Sequence, residues 1–428
     1  MIKITNPADC CGCEACVQRC PKACISMHED DEEFMYPVVD ESVCVDCGAC
    51  ERACPLINRA EPIPPVKVYA AKNKNEDERM SSSSGGIFIL LAKAVLAKGG
   101  VVFGAVYDDE WQVVIRYAET LEDVLPMMGS KYVQSRTDTA FRDAERFLKQ
   151  GREVLFTGAP CQIAGLRTFL RKDYPNLLAV DYLCHGAPSP GVWRRYLEEV
   201  RVSHSARRAA AGKNTVLLSL NGLPLIKGIA FRDKQYGWKK YGFALTFTEP
   251  AGDGENSVLL SHKCQIFNEN PYMRGFLADV YLRPSCYECR CKNGVNHSDL
   301  TIGDFWGIDR LMPEFDDDRG VSIVVVSTDK GFEYFNALPV EVRDANISDA
   351  KAMNGGFKEH LRVHPKRELF YKRFRSRRCT VEQNVKNVLT TPPVKKILQF
   401  TKKIIKSIIK GVLGDKGVDA VRGILKKK

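Results

Sequence analysis

Apolar and polar positions alternate along the chain in a way that predicts strands followed by helices. Short apolar runs such as VVFGAV and SIVVVS are typical of buried strands. We predict strands at 101–106, 154–158, 177–184 and 322–327. Helical periodicity predicts helices at 86–98, 140–149, 162–171 and 190–200. This alternation favours an α/β layer fold, in which ligands bind beyond the ends of the strands.

Three prolines within four residues, Pro62, Pro64 and Pro65, separate this region from the first sixty residues. Such a segment is a short stiff linker rather than a helix or strand. We therefore predict a small domain at 1–60 and a larger α/β domain at 66–365. A third region, 390–428, places apolar residues on one helical face and lysines on another, which predicts a basic amphipathic helical tail.

Most of the net charge of +10 belongs to that tail. From Lys395 onward there are eleven Lys and Arg residues against two Asp, which leaves the rest of the chain close to neutral. A near-neutral body argues against a nucleic-acid partner. The tail fits either an anionic membrane surface or a protein surface.

The start of the chain, MIKITNPADCC, lacks the basic and apolar regions of a signal peptide. We therefore expect a cytoplasmic protein in a reducing compartment. Peripheral contact with the inner membrane face, through the tail, is the alternative to a protein that stays free of the membrane.

Cysteines are concentrated near the start of the chain, where the spacing C-x2-C-x2-C-x3-C-P occurs twice. This is the spacing of bacterial ferredoxins with two 4Fe-4S clusters, in which the fourth cysteine of each copy reaches across to the other cluster. We therefore expect one cluster on Cys10, Cys13, Cys16 and Cys54, and the other on Cys44, Cys47, Cys50 and Cys20.

Two zinc sites are the alternative, because zinc also binds four thiolates. Zinc requires neither the third closely spaced cysteine nor the proline, so the spacing favours iron-sulfur clusters. Cys11 and Cys24 lie outside the repeated spacing. We interpret them as packing residues or as neighbours of the ligands.

Other cysteines and two turns are further candidates for binding. RPSCYECRC supplies Cys286, Cys289 and Cys291, while Cys161 and Cys184 each follow a predicted strand. A third four-thiolate site, holding iron-sulfur or zinc, and separately buried cysteines remain alternatives. The turn SSSSGG, 81–86, fits either a pyrophosphate bound at a helix start or ordinary N-capping by a serine.

Several separated motifs resemble one known family. They are GSKYVQS (129–135), TGAPCQIAGL (157–166), DYLCHG (181–186), RPSCYEC (283–289) and DLTIGDFWG (299–307). Together with the two-cluster ferredoxin spacing, they resemble the beta subunits of the coenzyme F420 hydrogenase/dehydrogenase family over residues 1–365. The resemblance implies that the 66–365 domain binds FAD and a 4Fe-4S cluster of its own.

The resemblance also implies which residues bind these groups. The third cluster would use Cys161, Cys184, Cys286 and Cys289, with Cys291 as a further candidate. FAD would contact Ser84, Gly85, Gly86, Gly129, Ser130, Lys131 and Tyr132, and its diphosphate or ring would lie near Thr157, Gly158 and Pro160. Lys131 would stabilise the anionic reduced flavin, although a surface ion pair is its alternative role. No catalytic residue is assigned.

A member of this family would be an oxidoreductase. It would relay electrons from ferredoxin or another oxidoreductase subunit through its clusters to FAD, and then as hydride to a small organic acceptor. Substrates vary in the family, which includes a plant reductase of a chlorophyll side group and bacterial members encoded near surface-polysaccharide genes. The alternative function is a non-catalytic protein that feeds electrons to a partner enzyme.

Overall fold

The computed structural model of the chain describes residues 1–210, 225–250 and 258–390. The chain divides into two units, Met1–Val385 and Lys386–Lys428. Apart from its first residue, the tail predicted at 390–428 lies outside the described residues. Within the described part of the chain, no helix has both the length and the apolar character that a bilayer crossing requires.

The described residues contain strands and helices in an irregular alternation. The strands are β1 (Ile25–Glu29), β2 (Met35–Val39), β3 (Lys67–Asn73), β4 (Val101–Tyr107), β5 (Val113–Ala118), β6 (Val154–Gly158), β7 (Leu177–Tyr182), β8 (Ile226–Asp233), β9 (Gly242–Pro250), β10 (Val258–Ile266), β11 (Leu300–Asp304), β12 (Ser322–Val326) and β13 (Val340–Asp344). The helices are α1 (Ala15–Arg19), α2 (Ala49–Arg52), α3 (Glu76–Ser81), α4 (Ile87–Leu96), α5 (Leu121–Val124), α6 (Ala140–Lys149), α7 (Pro160–Leu170), α8 (Pro190–Ala210), α9 (Pro271–Leu277), α10 (Ile308–Leu311), α11 (Asp329–Asn336), α12 (Ile347–Met353), α13 (Arg367–Ser376) and α14 (Val381–Leu389).

Eight strands form one mixed sheet in the order β13-β3-β12-β11-β7-β6-β4-β5. Strands β4, β6, β7 and β11 are parallel to one another, and β12 runs antiparallel beside β11. The carboxyl ends of the four parallel strands therefore lie along the same edge of the sheet as the start of β12, where Asp304 pairs with Ser322. We call this edge the C-terminal edge.

Helices cover both faces of this sheet, as the alternating pattern predicts. Phe103 and Phe156 on one face pack against α6 and α7. Leu155 and Leu178 on the other face pack against α4 and α11. The predicted α/β layer fold is therefore confirmed, because side chains that alternate along each strand are buried on both sides.

The predicted elements agree with the structure at most of their boundaries. The predicted strand at 154–158 matches β6 and the predicted helix at 140–149 matches α6. Four predictions differ by two residues or more at one end. Helix α4 ends at Leu96 rather than 98, and α7 begins at Pro160 rather than 162. Strand β7 stops at Tyr182, so Cys184 lies in the loop beyond it, and α8 continues to Ala210 rather than ending at 200.

A second, antiparallel sheet of three strands has the order β10-β9-β8. Its inner face is aromatic and packs against α8. The Trp193 and Phe231 rings lie 5.1 Å apart, and the Tyr196 and Phe243 rings 6.0 Å apart. This sheet was not predicted from the sequence.

The first sixty residues pack directly against the larger part of the unit. The Thr168 hydroxyl on α7 donates a hydrogen bond of 2.7 Å to the carbonyl of Ala53. The linker also lies on the body, because the amide of Ile63 donates to the carbonyl of Gly294 at 3.3 Å. The boundaries at 60 and 66 stay a prediction.

Thr137 in the larger part of the unit contacts the first sixty residues, and a substitution there tests this packing. Its buried hydroxyl donates to the Cys13 carbonyl at 2.9 Å and accepts from the Gln18 amide at 2.9 Å. Thr137→Val keeps the shape but leaves buried polar groups unpaired. We expect it to lower the free energy of unfolding by about 1–3 kcal/mol, measured by anaerobic urea denaturation.

Thr139→Val is the matched control, because the Thr139 hydroxyl contacts Asp143 at the exposed surface. We expect that variant to change stability by no more than about 0.5 kcal/mol. Equal denaturation midpoints for Thr137→Val and the unmodified protein would contradict the role assigned to Thr137.

Candidate metal and cofactor site

The second copy of the cysteine motif surrounds a small cavity that opens to solvent. The residues that line the cavity include four predicted ligands of one cluster, Cys20, Cys44, Cys47 and Cys50. Cys24 also lines it, and its Sγ lies 3.4 Å from the Sγ of Cys20. The structure therefore brings together the four cysteines that the crossed ferredoxin arrangement assigns to one cluster.

The cysteines predicted for the other N-terminal cluster are mostly buried. Burial, together with the nearby thiols of Cys10 and Cys54, raises the pKa of Cys16 above its usual value. Gly12 has a φ of +69°, and a Cβ at this position would lie 2.9 Å from the Arg283 guanidinium. The turn therefore needs a glycine, both for its left-handed backbone and for the close approach of Arg283.

Arg283 is fully buried beside this turn. Its Nε donates to the Cys10 carbonyl at 2.7 Å, and its NH2 donates to the Met35 carbonyl at 3.0 Å. Burial lowers the pKa of Arg283, but the nearby Cys10, Tyr36 and Cys11 together outweigh burial, so the pKa is raised. A buried cation is costly without a counter-charge, so this position favours negatively charged thiolates nearby.

The predicted ligands of the third cluster come from three separate segments. Cys161 is the second residue of α7, Cys184 follows β7, and Cys286 ends a short 3-10 helix at Pro284–Cys286. Burial raises the pKa of Cys184 to about 11 and that of Cys286 to about 12. The nearby Cys184 thiol adds to the shift at Cys286, so these thiols are neighbours.

Cys289 and Cys291 belong to the same neighbourhood. Burial and the nearby Cys11 raise the pKa of both thiols above the usual range. Cys291 is almost completely buried, whereas Cys289 is partly exposed. The choice of the fourth ligand among these residues stays a prediction.

Cys11 lies among the proposed cluster ligands, although the sequence placed it outside the repeated cysteine spacing. Its side chain is buried and interacts with both Cys13 and Cys161. The interaction with Cys11, followed by burial, raises the pKa of Cys161 well above its usual value. Cys11 therefore lies between the first motif and the third group of cysteines.

The segments expected to contact FAD meet at the C-terminal edge of the large sheet. The amide and hydroxyl of Ser130 donate to the Ser83 hydroxyl at 2.6 and 2.9 Å. The amide of Gly85 donates to the Ser322 hydroxyl at 2.9 Å, where a Cβ at Gly85 would collide with the Ala71 carbonyl. Glycine is therefore required for this close approach. The Ser84 hydroxyl is already used, because it donates to the Val321 carbonyl at 3.0 Å.

Gly86 and Gly129 have positive φ angles of 81° and 80°. Gly86 precedes the first residue of α4, so the predicted helix start at 86 is correct within one residue. A Cβ at Gly129 would meet no atom within 4 Å, so its backbone conformation rather than its surroundings favours glycine.

Lys131 lies close to these turns. Its Nζ donates to the carbonyls of Met128 and Gly129 at 3.1 and 3.4 Å, and no carboxylate pairs with it among the residues that the structure describes. Burial lowers the pKa of Lys131 to about 7. The alternative role as a surface ion pair is therefore wrong for the described part of the chain.

Tyr132 belongs to an interacting group of polar and aromatic side chains. Arg232 donates to the Tyr132 hydroxyl at 3.3 Å and forms a buried ion pair with Asp304 at the end of β11. The Nε atom of Arg232 is buried and has no hydrogen-bond partner in the described regions. A bound ligand could accept a hydrogen bond from this Nε atom.

Three more expected flavin neighbours follow β6. The Thr157 hydroxyl donates to the Phe103 carbonyl at 2.8 Å, and Gly158 is packed against Gln162. Pro160 is the first residue of α7 and lines a pocket open to solvent, whose walls also include Asp181, Cys184 and Lys292. Burial raises the pKa of Asp181 to about 6.

Lys234 also lies at this edge of the sheet, although the sequence analysis did not identify it as a candidate binding residue. Its Nζ donates to the carbonyls of Arg79, Ser84 and Arg319 at 2.7, 3.0 and 2.7 Å. Burial, aided by the charges of Arg232 and Arg79, lowers its pKa to about 7. No local motif predicts that Lys234 contacts the 81–86 turn, because Lys234 and Ser84 are 150 residues apart in the sequence.

Comparison with known proteins adds two family matches. Residues 9–56 match the 4Fe-4S dicluster domain, and residues 151–349 match the C terminus of the beta subunit of coenzyme F420 hydrogenase/dehydrogenase. The chain is also 39% identical over 77 residues to a 7Fe ferredoxin of Hydrogenibacillus schlegelii, which covers 17% of this chain and 90% of that ferredoxin.

Two further relatives match longer stretches of the chain. The F subunit of the F420H2 dehydrogenase of Methanosarcina mazei is 26% identical over 189 residues, covering 41% of this chain and 53% of the relative. The coenzyme F420-dependent sulfite reductase of Methanocaldococcus jannaschii is 28% identical over 172 residues, covering 39% and 26%. The chain therefore spans about half or less of the length of these relatives.

A chain in the solved F420-reducing NiFe hydrogenase complex of Methanosarcina barkeri aligns with 76% of this chain and 91% of its own length. The identity is 17% and the TM-score is 0.41, which supports no detailed comparison. The family matches rest on sequence and agree with the cysteine spacing and the C-terminal motifs. The chain therefore carries a 4Fe-4S dicluster domain at 9–56 and, at 151–349, a region of the family formed by the C termini of coenzyme F420 hydrogenase/dehydrogenase beta subunits.

Proposed function

We propose that the chain is an iron-sulfur flavoprotein oxidoreductase with three 4Fe-4S clusters and one FAD. Iron-sulfur clusters supply one-electron chemistry, and a flavin joins it to two-electron hydride chemistry. The observation that carries the proposal is the grouping of six cysteine side chains where α7, the loop after β7 and the 284–291 segment meet. These cysteines are Cys11, Cys161, Cys184, Cys286, Cys289 and Cys291.

The donor set fits a third cluster. Cys161, Cys184, Cys286 and Cys289 would supply four thiolates from three segments that the fold already holds together. The amide of Ala187 donates to the Cys286 sulfur at 3.3 Å, an interaction that stabilises a thiolate. Lys292 is buried near Cys184 and lowers the cost of negative charge there.

The C-terminal edge of the sheet fits the anionic diphosphate of FAD. Lys131 has no carboxylate partner in the described regions, and the Nε of Arg232 lacks an acceptor. Gly320 lies against the Ser84 carbonyl and Lys234, where a Cβ could not be accommodated. We propose that these groups, with the Ser83 and Ser130 hydroxyls, bind and orient the cofactor.

The pocket beside Pro160 and Cys184 is the proposed site of a small organic hydride acceptor. It lies next to Cys184, and its walls include the buried carboxyl of Asp181 and the ammonium groups of Lys292 and Lys351. Such walls suit a substrate that carries negative charge. Since the names of two relatives contain F420, coenzyme F420 is the first compound to test.

Electrons would enter from a redox partner protein at the second motif. Cys47 is the exposed cysteine of that motif, and Val45, which lines the same cavity, is 58% exposed. An apolar surface beside a cluster favours brief contact with a ferredoxin or another oxidoreductase subunit.

A non-catalytic electron-transfer subunit is the second candidate function. It is favoured by the relative whose own name describes it as one subunit of a larger enzyme, the F420H2 dehydrogenase. The two candidates differ in flavin content, because a protein that only conducts electrons needs no FAD.

Replacing Cys286 with serine should remove the third cluster while the N-terminal dicluster domain stays loaded. We expect iron to fall from about twelve to about eight atoms per chain, since each cluster holds about four irons. The measurement is iron, sulfide and flavin content of protein purified without oxygen. Cys291→Ser tests the other candidate for the fourth ligand.

Cys379→Ser is the matched control, because Cys379 is a partly exposed cysteine outside all three groups. It should keep about twelve irons. An iron content of about eight atoms per chain in the unmodified protein would contradict the proposal of a third cluster. The same value without flavin would favour the electron-transfer subunit.

Replacing Lys131 with methionine should weaken FAD binding in a pH-dependent way. The lysine, with a pKa of about 7, is protonated below that pH, so its attraction for phosphate grows as pH falls. We expect FAD to bind flavin-depleted protein more tightly at about pH 6 than at about pH 8, and Lys131→Met to lose about tenfold in affinity at the lower pH.

Fluorescence titration with FAD measures this effect. Lys98→Met is the control, because Lys98 is exposed and lies 3.8 Å from Glu153 at the surface. The same pH profile for Lys131→Met and the unmodified protein would exclude Lys131 from the flavin site.

A further inference from the structure

We propose that Asp233, His262 and Cys264 form a zinc-binding site on the outer face of the three-stranded sheet. One ligand atom from each residue lies within 4.8 Å of the others, and the site is separate from the three groups of iron-sulfur cysteines. Carboxylate, imidazole and thiolate are all ligands that zinc prefers. Three protein ligands leave at least one coordination position for water.

The strand register explains how residues on the two outer strands approach each other. Cys264 on β10 pairs with Ala244 on β9, and Asp233 on β8 pairs with Gly242 on β9. The central strand thus presents only small residues between the two ligands. A Cβ at Gly242 would collide with the Sγ of Cys264, so the sulfur lies over the glycine. A larger residue at 242 would close the site.

His262 is oriented for metal binding by its neighbour on the central strand. The Thr246 hydroxyl lies 3.2 Å from Nδ1, which leaves Nε2 directed toward Asp233, whose Oδ2 is 3.5 Å away. Two ligands of one tetrahedral zinc ion are separated by about 3.3–3.8 Å, given metal-ligand bonds of about 2.0–2.3 Å. A hydrogen bond to the other imidazole nitrogen is the usual way to fix a metal-binding histidine.

A simple ion pair between His262 and Asp233 explains less of the arrangement. It gives no reason for a thiol to lie beside a carboxylate. A divalent cation provides that reason, because it stabilises both negative ligands. Binding releases the thiol proton to solvent and forms the zinc-sulfur bond with no change in oxidation state.

Zinc-edge X-ray absorption of the loaded protein tests the site without interference from iron. Protein purified without oxygen is mixed with one equivalent of ZnCl2 and desalted. We expect about one sulfur at about 2.3 Å and two or three nitrogen or oxygen ligands at about 2.0–2.2 Å. Cys264→Ser should lose the sulfur shell and retain zinc about tenfold or more weakly, with iron content unchanged.

Cys379→Ser is again the control and should bind zinc as the unmodified protein does. His262→Gln provides a second variant and should weaken zinc retention while it keeps the sulfur shell. An all-sulfur shell would place the zinc in cluster cysteines and overturn the proposal. Failure to retain zinc, or equal retention by Cys264→Ser, would also overturn it.

Discussion

The contact between Cys13 and Gly165 fixes how the first sixty residues pack against the α/β part of the first unit. A Cβ at Gly165 would lie 2.9 Å from the Cys13 sulfur, so the first cysteine loop rests on the bare backbone of α7. The same helix begins at Pro160 and Cys161. One short helix therefore positions the N-terminal loop on its side and a proposed ligand of the third cluster at its start.

Positive charge that is buried or half-buried is the second feature common to the proposed sites. Arg283, Lys131 and Lys234 donate chiefly to backbone carbonyls, and the described residues provide none of them with a carboxylate. Carbonyl groups satisfy hydrogen bonds but do not neutralise charge. Thiolates beside Arg283 and phosphates beside the two lysines would supply the missing negative charge.

Local pattern was sufficient to predict many elements but not the contacts between distant segments. The apolar run of β6 and the helical periodicity of α6 are local, and both were predicted at the correct residues. The three-stranded sheet was missed although β8, β9 and β10 are consecutive, because polar residues interrupt their apolar positions and they lack the continuous apolar runs used to predict the other strands. No spacing rule connects Asp233 with His262 and Cys264 across this sheet, or Lys234 with Ser84.

The ion pairs of the β1–β2 turn limit how the N-terminal part can move. Glu32 binds Arg367 of α13 through both carboxylate oxygens, and Glu33 lies 2.6 Å from Arg194 of α8. A domain held by ion pairs to two helices cannot rotate about its linker as a mobile electron-carrier domain does. Its distance from the rest of the unit is fixed when the chain folds, so exchange of partners is confined to its outer surface.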